Sequence, residues 1–334
     1  MPVPSISAKM TNSPSHLVSV LIPAYNHERW VTECLESVLQ QTYQNIEVLV
    51  LDDFSPDRTF EIVSAIRDPR LSCSRNVKNL GISRTFNALL EQAAGDFIAF
   101  IGSDDCWEPS KLQKQVEFLT ANPSFDFCFT EALTLDENSN RGPSSPLFDY
   151  QNRTRSEWLL RLFFGNTLNG PSALVRRSVL KRFGLLNTSL RQLQDYDLWV
   201  RYLTRGCLFF IINEPLTLYR VTKNSLSNNN SIKTLLLDAW ETASVLRNYL
   251  SLSVGEFRAI FGSLIEGEAL FSQARSIEVA VALVCSKVSR PPYQHLAAHL
   301  MQTFYENNQN EIDDAAYHDF IAGLSLFGRQ PETK

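Results

Sequence analysis

Asp104 and Asp105 stand side by side directly after a short apolar run, Asp96 to Ile101, in the segment GDFIAFIGSDDCWEP. Such a run suits a strand buried on both faces of a sheet. Two adjacent carboxylates at its end cost free energy unless something positive meets them. In an open α/β sheet, ligands bind at the carboxyl ends of the strands. A divalent cation carrying phosphate oxygens suits the pair, because Mg²⁺ usually takes one or two carboxylates plus substrate phosphates. A solvated Asp-Asp turn is the plainer reading of one pair taken alone. The pattern occurs twice, however: Ile46 to Leu51 is a second apolar run and ends in Asp52-Asp53. If both strands lie in one parallel sheet, their carboxyl ends share an edge and the four acids converge on one crevice.

The elements around these runs predict such a sheet. Leu17 to Ile22 reads as a strand, broken by Pro23-Ala24-Tyr25-Asn26, with Asn26 placed to cap a helix that carries Val31, Leu35, Val38 and Leu39 at helical spacing. A turn at Ser55-Pro56-Asp57 leads into a helix over Arg58 to Ile66, then a weaker strand over Leu71 to Arg75. Ser83 is placed to cap a helix through Ala94, and Pro109 opens a helix to Thr120. Strand and helix alternate, which implies an α/β fold: a mainly parallel sheet flanked by helices, with right-handed crossovers.

Further on, Phe125 to Leu135 reads as a strand and Asn138 to Asp149 as a loop. Helical stretches over Trp158–Phe164 and Arg176–Phe183 flank a short strand at Ala173–Val175. Another helix opens at Leu193-Gln194-Asp195, followed by a strand at Leu208–Ile212, an edge strand at Leu216–Arg220 and a polar loop at Asn224–Asn230. From Ser231 the strand signals stop. Segments around Leu235–Leu250, Val254–Phe271, Ile277–Val288, Tyr293–Asn307 and Ile312–Leu326 read as helices. The expected domains are a flexible leader over 1–16, an α/β domain over 17–228 and an α-helical C-terminal extension over 229–334.

Bulk properties narrow the function. The 334 residues carry 31 Lys plus Arg against 36 Asp plus Glu, a formal net charge of −5, which argues against a nucleic-acid partner. The six cysteines form no C-x-x-C pair, so buried free thiols are expected and a zinc site is not. No run approaches the ~18 apolar residues of a membrane span. His295 and His299 lie four apart in HLAAH but lack the Glu of a zinc-protease motif, and His16 and His27 sit in loops with no partner in view.

Three motifs in order, VSVLIPAYNHERWVTECLESVLQQTYQNIEVLVLDDFSPD, GDFIAFIGSDD and QDYDLWVRY, resemble the family 2 nucleotide-sugar glycosyltransferases of GT-A fold. The likeness runs from about Val18 to Ser227 and leaves the helical extension uncovered. It implies that Pro23, Tyr25 and Asn26 line a nucleoside pocket, with Tyr25 stacking on the base. Asp53 would accept a hydrogen bond from the base, with Asp52 supporting its loop. Asp104 would touch the ribose or diphosphate, and Asp105 would hold Mg²⁺ or Mn²⁺. Asp195 would be the general base that takes a proton from an acceptor hydroxyl. As bland alternatives, Tyr25 is a turn residue and Asp195 the N-cap of the helix beginning near Tyr196.

Three departures from the family pattern stand out. Phe86 occupies the place of a common Arg, for which Arg84 is the nearest substitute contact. Thr222 stands where a His is frequent, leaving Arg220 and Lys223 to offer charge to the diphosphate. Gln194 replaces the usual Glu beside the base. The resemblance implies an inverting hexosyltransferase that moves a sugar from a UDP- or dTDP-linked donor to a glycan or lipid-linked saccharide in surface polysaccharide biosynthesis. Its place would be cytoplasmic, with peripheral contact at the inner face of the membrane. A non-catalytic nucleotide-sugar-binding or scaffold protein of the same fold is the alternative. A sugar-phosphate nucleotidyltransferase fits less well, because the loop PAYNHE after the first strand has no glycine to cradle a triphosphate.

Overall fold

The computed structural model of the chain describes residues 16–222, 232–264, 275–308, 312 and 314–324. Residues 1–15 of the expected leader, the polar loop with Lys223, and the ends of the segments Val254–Phe271 and Ile312–Leu326 lie outside the described residues. The chain divides into two compact units. The first holds the described residues within Met1–Thr154, Asn166–Leu198 and Gly206–Asn229.

That unit is built on a 9-stranded sheet. Strands β1 (Val18–Ala24), β2 (Ile46–Asp52), β3 (Leu71–Arg75) and β4 (Phe97–Phe100) form its parallel half in the order β3-β2-β1-β4. Helices α1 (Val31–Leu39), α2 (Thr59–Ala65) and α3 (Ile82–Gln92) connect them. In α1 the buried Val31, Cys34, Leu35 and Val38 recur at helical spacing and pack in one core with Val18, Val20 and Ile22 of β1. Register places Ala24 beside Asp52 and Leu21 beside Phe100, so β2, β1 and β4 release their following loops along one edge.

The other half of the sheet is mixed. It contains β5 (Cys106–Trp107), β6 (Phe127–Leu135), β7 (Arg141–Ser144), β8 (Leu174–Arg176) and β9 (Phe209–Arg220), with α4 (Lys111–Ala121) and α6 (Arg177–Phe183) between strands. β8 is antiparallel to both β4 and β6, β9 is parallel to β6, and β5 is antiparallel to β9. Uninterrupted parallel pairing thus belongs to the first four strands, and β6 with β9 adds one further parallel pair. The expected loop over Asn138–Asp149 contains β7, whose Arg-Gly-Pro-Ser sequence carries no strand pattern. The two strands expected near β9 are one strand, irregular where Glu131 pairs with Pro215, and β5 covers the side expected to be an edge.

The second unit holds the described residues within Arg155–Gly165, Trp199–Arg205 and Asn230–Lys334. It contains α5 (Arg155–Phe163), the end of α7 (Gln194–Thr204), α8 (Ile232–Leu246), α9 (Val254–Phe261), α10 (Ile277–Ser286), α11 (Pro291–Asn307) and α12 (Asp314–Gly323). The expected helical extension is therefore joined by two segments from earlier in the chain. Phe163 centres its core, 5.1 Å from Tyr249, 4.9 Å from Phe261 and 5.6 Å from Tyr293, ring to ring. The hydroxyls of Tyr249 and Tyr293 donate to the Leu159 and Phe163 carbonyls, and the second of these is one that the end of α5 would otherwise leave unpaired. Ser253 and Glu256 form a reciprocal cap at the start of α9. Among the described residues no helix is long and apolar enough to cross a membrane.

Candidate active site

The loop after β2 is organised by its two acids. Asp52 is fully buried and accepts from both the hydroxyl and the backbone N–H of Ser55, while Arg75 Nε lies 3.1 Å from its Oδ2. Asp53 accepts from Asn76 Nδ2, Leu80 N and Gly81 N, each at 2.8 Å. A carboxylate has about four lone-pair sites, so three are already engaged. Gly81 has φ +85°, a conformation that L side chains rarely adopt, and it turns its N–H onto Asp53 at the start of α3.

Beside it, β1 ends in the expected nucleoside residues. Pro23 pairs with Leu51 of β2 and lies two residues beyond Leu21, where the pairing with β4 ends, so its missing N–H leaves no ladder bond unmade on that side. Tyr25 is 44% exposed. Asn26 does not cap α1, which begins five residues later at Val31. It adopts φ +57° and donates its backbone N–H to Ser55 Oγ. Ser83 likewise caps no helix, because α3 starts at Ile82 after Gly81. Its hydroxyl donates to the Leu190 carbonyl. Arg84 is exposed on the first turn of α3, while Phe86 lies in the core with its ring 4.7 Å from that of Phe100.

The acidic loop after β4 is more tightly built. Gly102 is its pivot: a Cβ there would stand 2.8 Å from Asp104 Oδ1 and 3.0 Å from Asp105 Oδ2. Both carboxylates therefore face the space that glycine leaves. Asp105 is 3% exposed, and burial, then the neighbouring Asp104 charge, push its carboxyl well above the usual range. Among the described residues no group of three or more His, Cys, Asp and Glu side chains could hold a metal ion. The donor set nevertheless fits a hard cation that also takes phosphate oxygens, because two converging acids suffice for Mg²⁺ in that case.

Arg220 does not offer its charge outward. It is fully buried and threads through the loop from behind. Its backbone N–H donates to Asp105 Oδ1, Nε to the Asp104 carbonyl, Nη1 to the Asp136 carbonyl and Ser139 Oγ, and Nη2 to Glu33 Oε2. His27 also has partners. Its Nδ1 is 2.7 Å from Ser103 Oγ and its Nε2 is 3.7 Å from Asp104 Oδ2. His16 lies 3.1 Å from Asp96 at the opposite end of β4. A cavity of about 350 Å³ lies there, lined by residues such as Gly95, Arg177 and Lys181, and contains none of the paired acids.

Asp195 sits inside the first turn of α7, which begins at Gln194, and so is not its N-cap. Its Oδ1 accepts from Tyr196 N at 2.8 Å and its Oδ2 from Asn166 Nδ2 at 3.1 Å. Burial raises its carboxyl to about 6, opposed by those hydrogen bonds. Two residues after Asp105, the Trp107 indole donates to the Pro171 carbonyl at 3.0 Å. The adjoining Gly170 lies against Asp195, where an added Cβ would be 3.3 Å from Oδ2. The acidic loop and Asp195 are thus linked through one side chain and a short turn. Asn166 lies outside the three motifs, and the parts that Arg220, His27 and Gly102 play in holding the loop are shown by the fold.

The model of "Glycosyl transferase family 2" matches residues 19–184. Over 215 residues the chain is 32% identical to UDP-Glc:alpha-D-GlcNAc-diphosphoundecaprenol beta-1,3-glucosyltransferase WfaP of Escherichia coli, covering 64% of this chain and 80% of that protein. It is 29% identical over 215 residues to the putative teichuronic acid biosynthesis glycosyltransferase TuaG of Bacillus subtilis, covering 64% and 82%. Among solved structures, S. aureus TarS in complex with UDP-GlcNAc superimposes with a TM-score of 0.55 at 18% identity, over 91% of this chain and 90% of that one, a likeness of fold. Sequence motifs, GT-A architecture and these relatives agree, and the chain belongs to the family 2 glycosyltransferases.

Proposed function

We propose that this enzyme transfers a sugar, with inversion, from a UDP- or dTDP-linked donor to a hydroxyl of a glycan or lipid-linked saccharide during assembly of a surface polysaccharide. The observation that carries this reading is the convergence of Asp104 and Asp105 over Gly102, on the sheet edge that also carries Asp53 and Tyr25. The names of the WfaP and TuaG relatives support the donor and acceptor classes.

In this reading Pro23, Tyr25 and Asn26 line the nucleoside pocket. Asp53 uses its remaining lone pair on the base while its other bonds keep the 76–81 loop in place. Asp104 meets the ribose or diphosphate, and Arg84, exposed on α3, reaches the same groups. Asp105, with the Asp104 carboxylate converging beside it, would hold Mg²⁺ or Mn²⁺. When bound, the ion neutralises charge on the departing nucleoside diphosphate. Asp195 removes the proton as the acceptor oxygen forms its bond to the anomeric carbon. The bond from that carbon to the phosphate oxygen breaks, and the diphosphate leaves with the electron pair. One displacement from the opposite face inverts the centre. In this reading the enzyme works as a peripheral partner at the cytoplasmic face of a membrane, where lipid-linked acceptors lie.

The test replaces Asp195 with Asn. UDP binding should persist while turnover from UDP-sugars falls by at least about a thousandfold. Unchanged turnover would remove the general-base assignment. Absence of turnover in the wild-type protein across UDP- and dTDP-sugars, with nucleotide binding intact, would favour a binding protein of the same fold.

A further inference from the structure

We propose that Asn166 is a positioning residue for Asp195, holding one carboxylate edge so that the acceptor hydroxyl meets a fixed oxygen. The inference rests on the general-base reading of Asp195. Three observations carry it. First, Asn166 Nδ2 donates to Asp195 Oδ2 at 3.1 Å, while Tyr196 N–H holds Oδ1 at 2.8 Å. With a donor on each oxygen, the carboxylate plane cannot rotate without breaking a charge-assisted bond. Second, the amide of Asn166 is itself oriented: its Oδ1 accepts from Leu168 N at 3.1 Å, which leaves the NH₂ end for the carboxylate. Third, neighbouring polar side chains of the same loop are not satisfied in this way. Both ends of the Asn169 amide, and Thr167 Oγ1, are buried with no hydrogen-bond partner among the described residues. A loop shaped for stability alone would pair those groups first. Of these three side chains, Asn166 is the one with both ends of its amide engaged, and its donor end is aimed at Asp195.

The surroundings sharpen the point. Gly170 lies against Oδ2, so the backbone approaches the carboxylate closely on the side that Asn166 holds. Among the described residues, burial and the hydrogen bonds from Tyr196, Asn166 and its own backbone act on the Asp195 carboxyl, and no charged side chain is among them. Among those residues the Asn166 amide is therefore the side-chain donor that favours the ionised, proton-accepting form.

Asn166→Asp separates positioning from scaffolding. It keeps the side-chain shape and the acceptor for Leu168 N, but replaces the donor with a second carboxylate. The pH dependence of kcat would be measured with a UDP-sugar donor, alongside UDP affinity, for wild type, Asn166→Asp, Asn166→Ala and Asp195→Asn. We expect the acid limb of Asn166→Asp to move up by about one pH unit or more, because like charges at hydrogen-bond distance oppose ionisation. Its kcat at pH 7 should fall about tenfold or more with UDP affinity unchanged. Asn166→Ala should move the limb in the same direction by less. Acid limbs that coincide with wild type in both variants, with Asp195→Asn inactive, would overturn the role of Asn166 and leave the base assignment standing. Turnover retained by Asp195→Asn would overturn both.

Discussion

The backbone N–H of Arg220 donates to Oδ1 of Asp105 at 2.8 Å, joining the end of β9 to a loop 115 residues earlier in the chain. The guanidinium of the same residue then ties that loop to Glu33 on α1 and to the turn at Asp136–Ser139. One buried cation thereby sets the backbone of the acidic loop without facing the substrate side. A carboxylate pair this close to burial needs such fixed support.

Arg220→Lys should therefore act through the loop. Lysine has one compact ammonium and cannot reproduce the fork. The expected cost is about 3 kcal/mol in urea unfolding, together with weaker Mn²⁺-dependent nucleotide binding. Glu33→Gln, at a partly exposed partner, should cost less than about 1 kcal/mol. Equal costs for the two variants would count against the hub.

Gly102→Ala places a methyl group where Asp104 Oδ1 and Asp105 Oδ2 converge. The carboxylates must separate, so the apparent Mn²⁺ affinity measured in the presence of UDP should fall about tenfold or more. Folding stability should change by no more than about 1–2 kcal/mol. Unchanged Mn²⁺ affinity would show that the two oxygens do not share a ligand.

Asp195 gives paired expectations for activity and stability. Its carboxyl lies at about 6 in the folded chain against an ordinary 3.8. Turnover should rise with pH through about 6 as the base ionises. A raised carboxyl favours folding at low pH, and that contribution is lost as pH rises through the folded value. Asp195→Asn should thus be more stable than wild type at pH 7, by about 1–3 kcal/mol, with the gain absent near pH 3.5. Denaturation of both proteins at the two pH values checks the sign.

Much of this arrangement is legible in the sequence because burial leaves a plain mark. The runs before Asp52-Asp53 and Asp104-Asp105 are nearly all apolar, and acids at the ends of such runs are conspicuous. The helix of Val31, Leu35 and Val38 is equally plain from its period. The rest depends on tertiary partners. Cys106–Trp107 is a strand through its pairing with Leu218 and Thr217, and two residues carry no period. Arg141–Ser144 pairs despite Gly and Pro, and β9 continues past Pro215 through an irregular register. Arg220 reads as a charge offered to the diphosphate until the strand that carries it is seen to be interior and its guanidinium buried. His27 stands in the first motif without a partner in view there, and its partners Ser103 and Asp104 come from a loop 76 and more residues away.

Lys111 follows from the core and not from the site. It is fully buried, its Nζ donates to Gln115 Oε1 at 2.8 Å and lies 3.9 Å from the centre of the Trp107 ring. Burial lowers its ammonium from 10.5 to about 7. Between those values the unfolded chain binds the extra proton, so stability rises with pH across that window. Lys111→Met removes this dependence. It should be more stable than wild type at pH 6, and the advantage should shrink by about 1.4 kcal/mol per pH unit above 7. A constant offset from pH 6 to 9.5 would contradict the buried, neutral amine.

The most direct test of the site is a calorimetric titration of UDP, with and without Mn²⁺, into wild type, Asp105→Asn and Asp195→Asn. The account predicts metal-dependent UDP binding in the wild-type and Asp195→Asn proteins, and loss of the metal dependence in Asp105→Asn. UDP binding of equal strength with and without Mn²⁺ in all three proteins would contradict it.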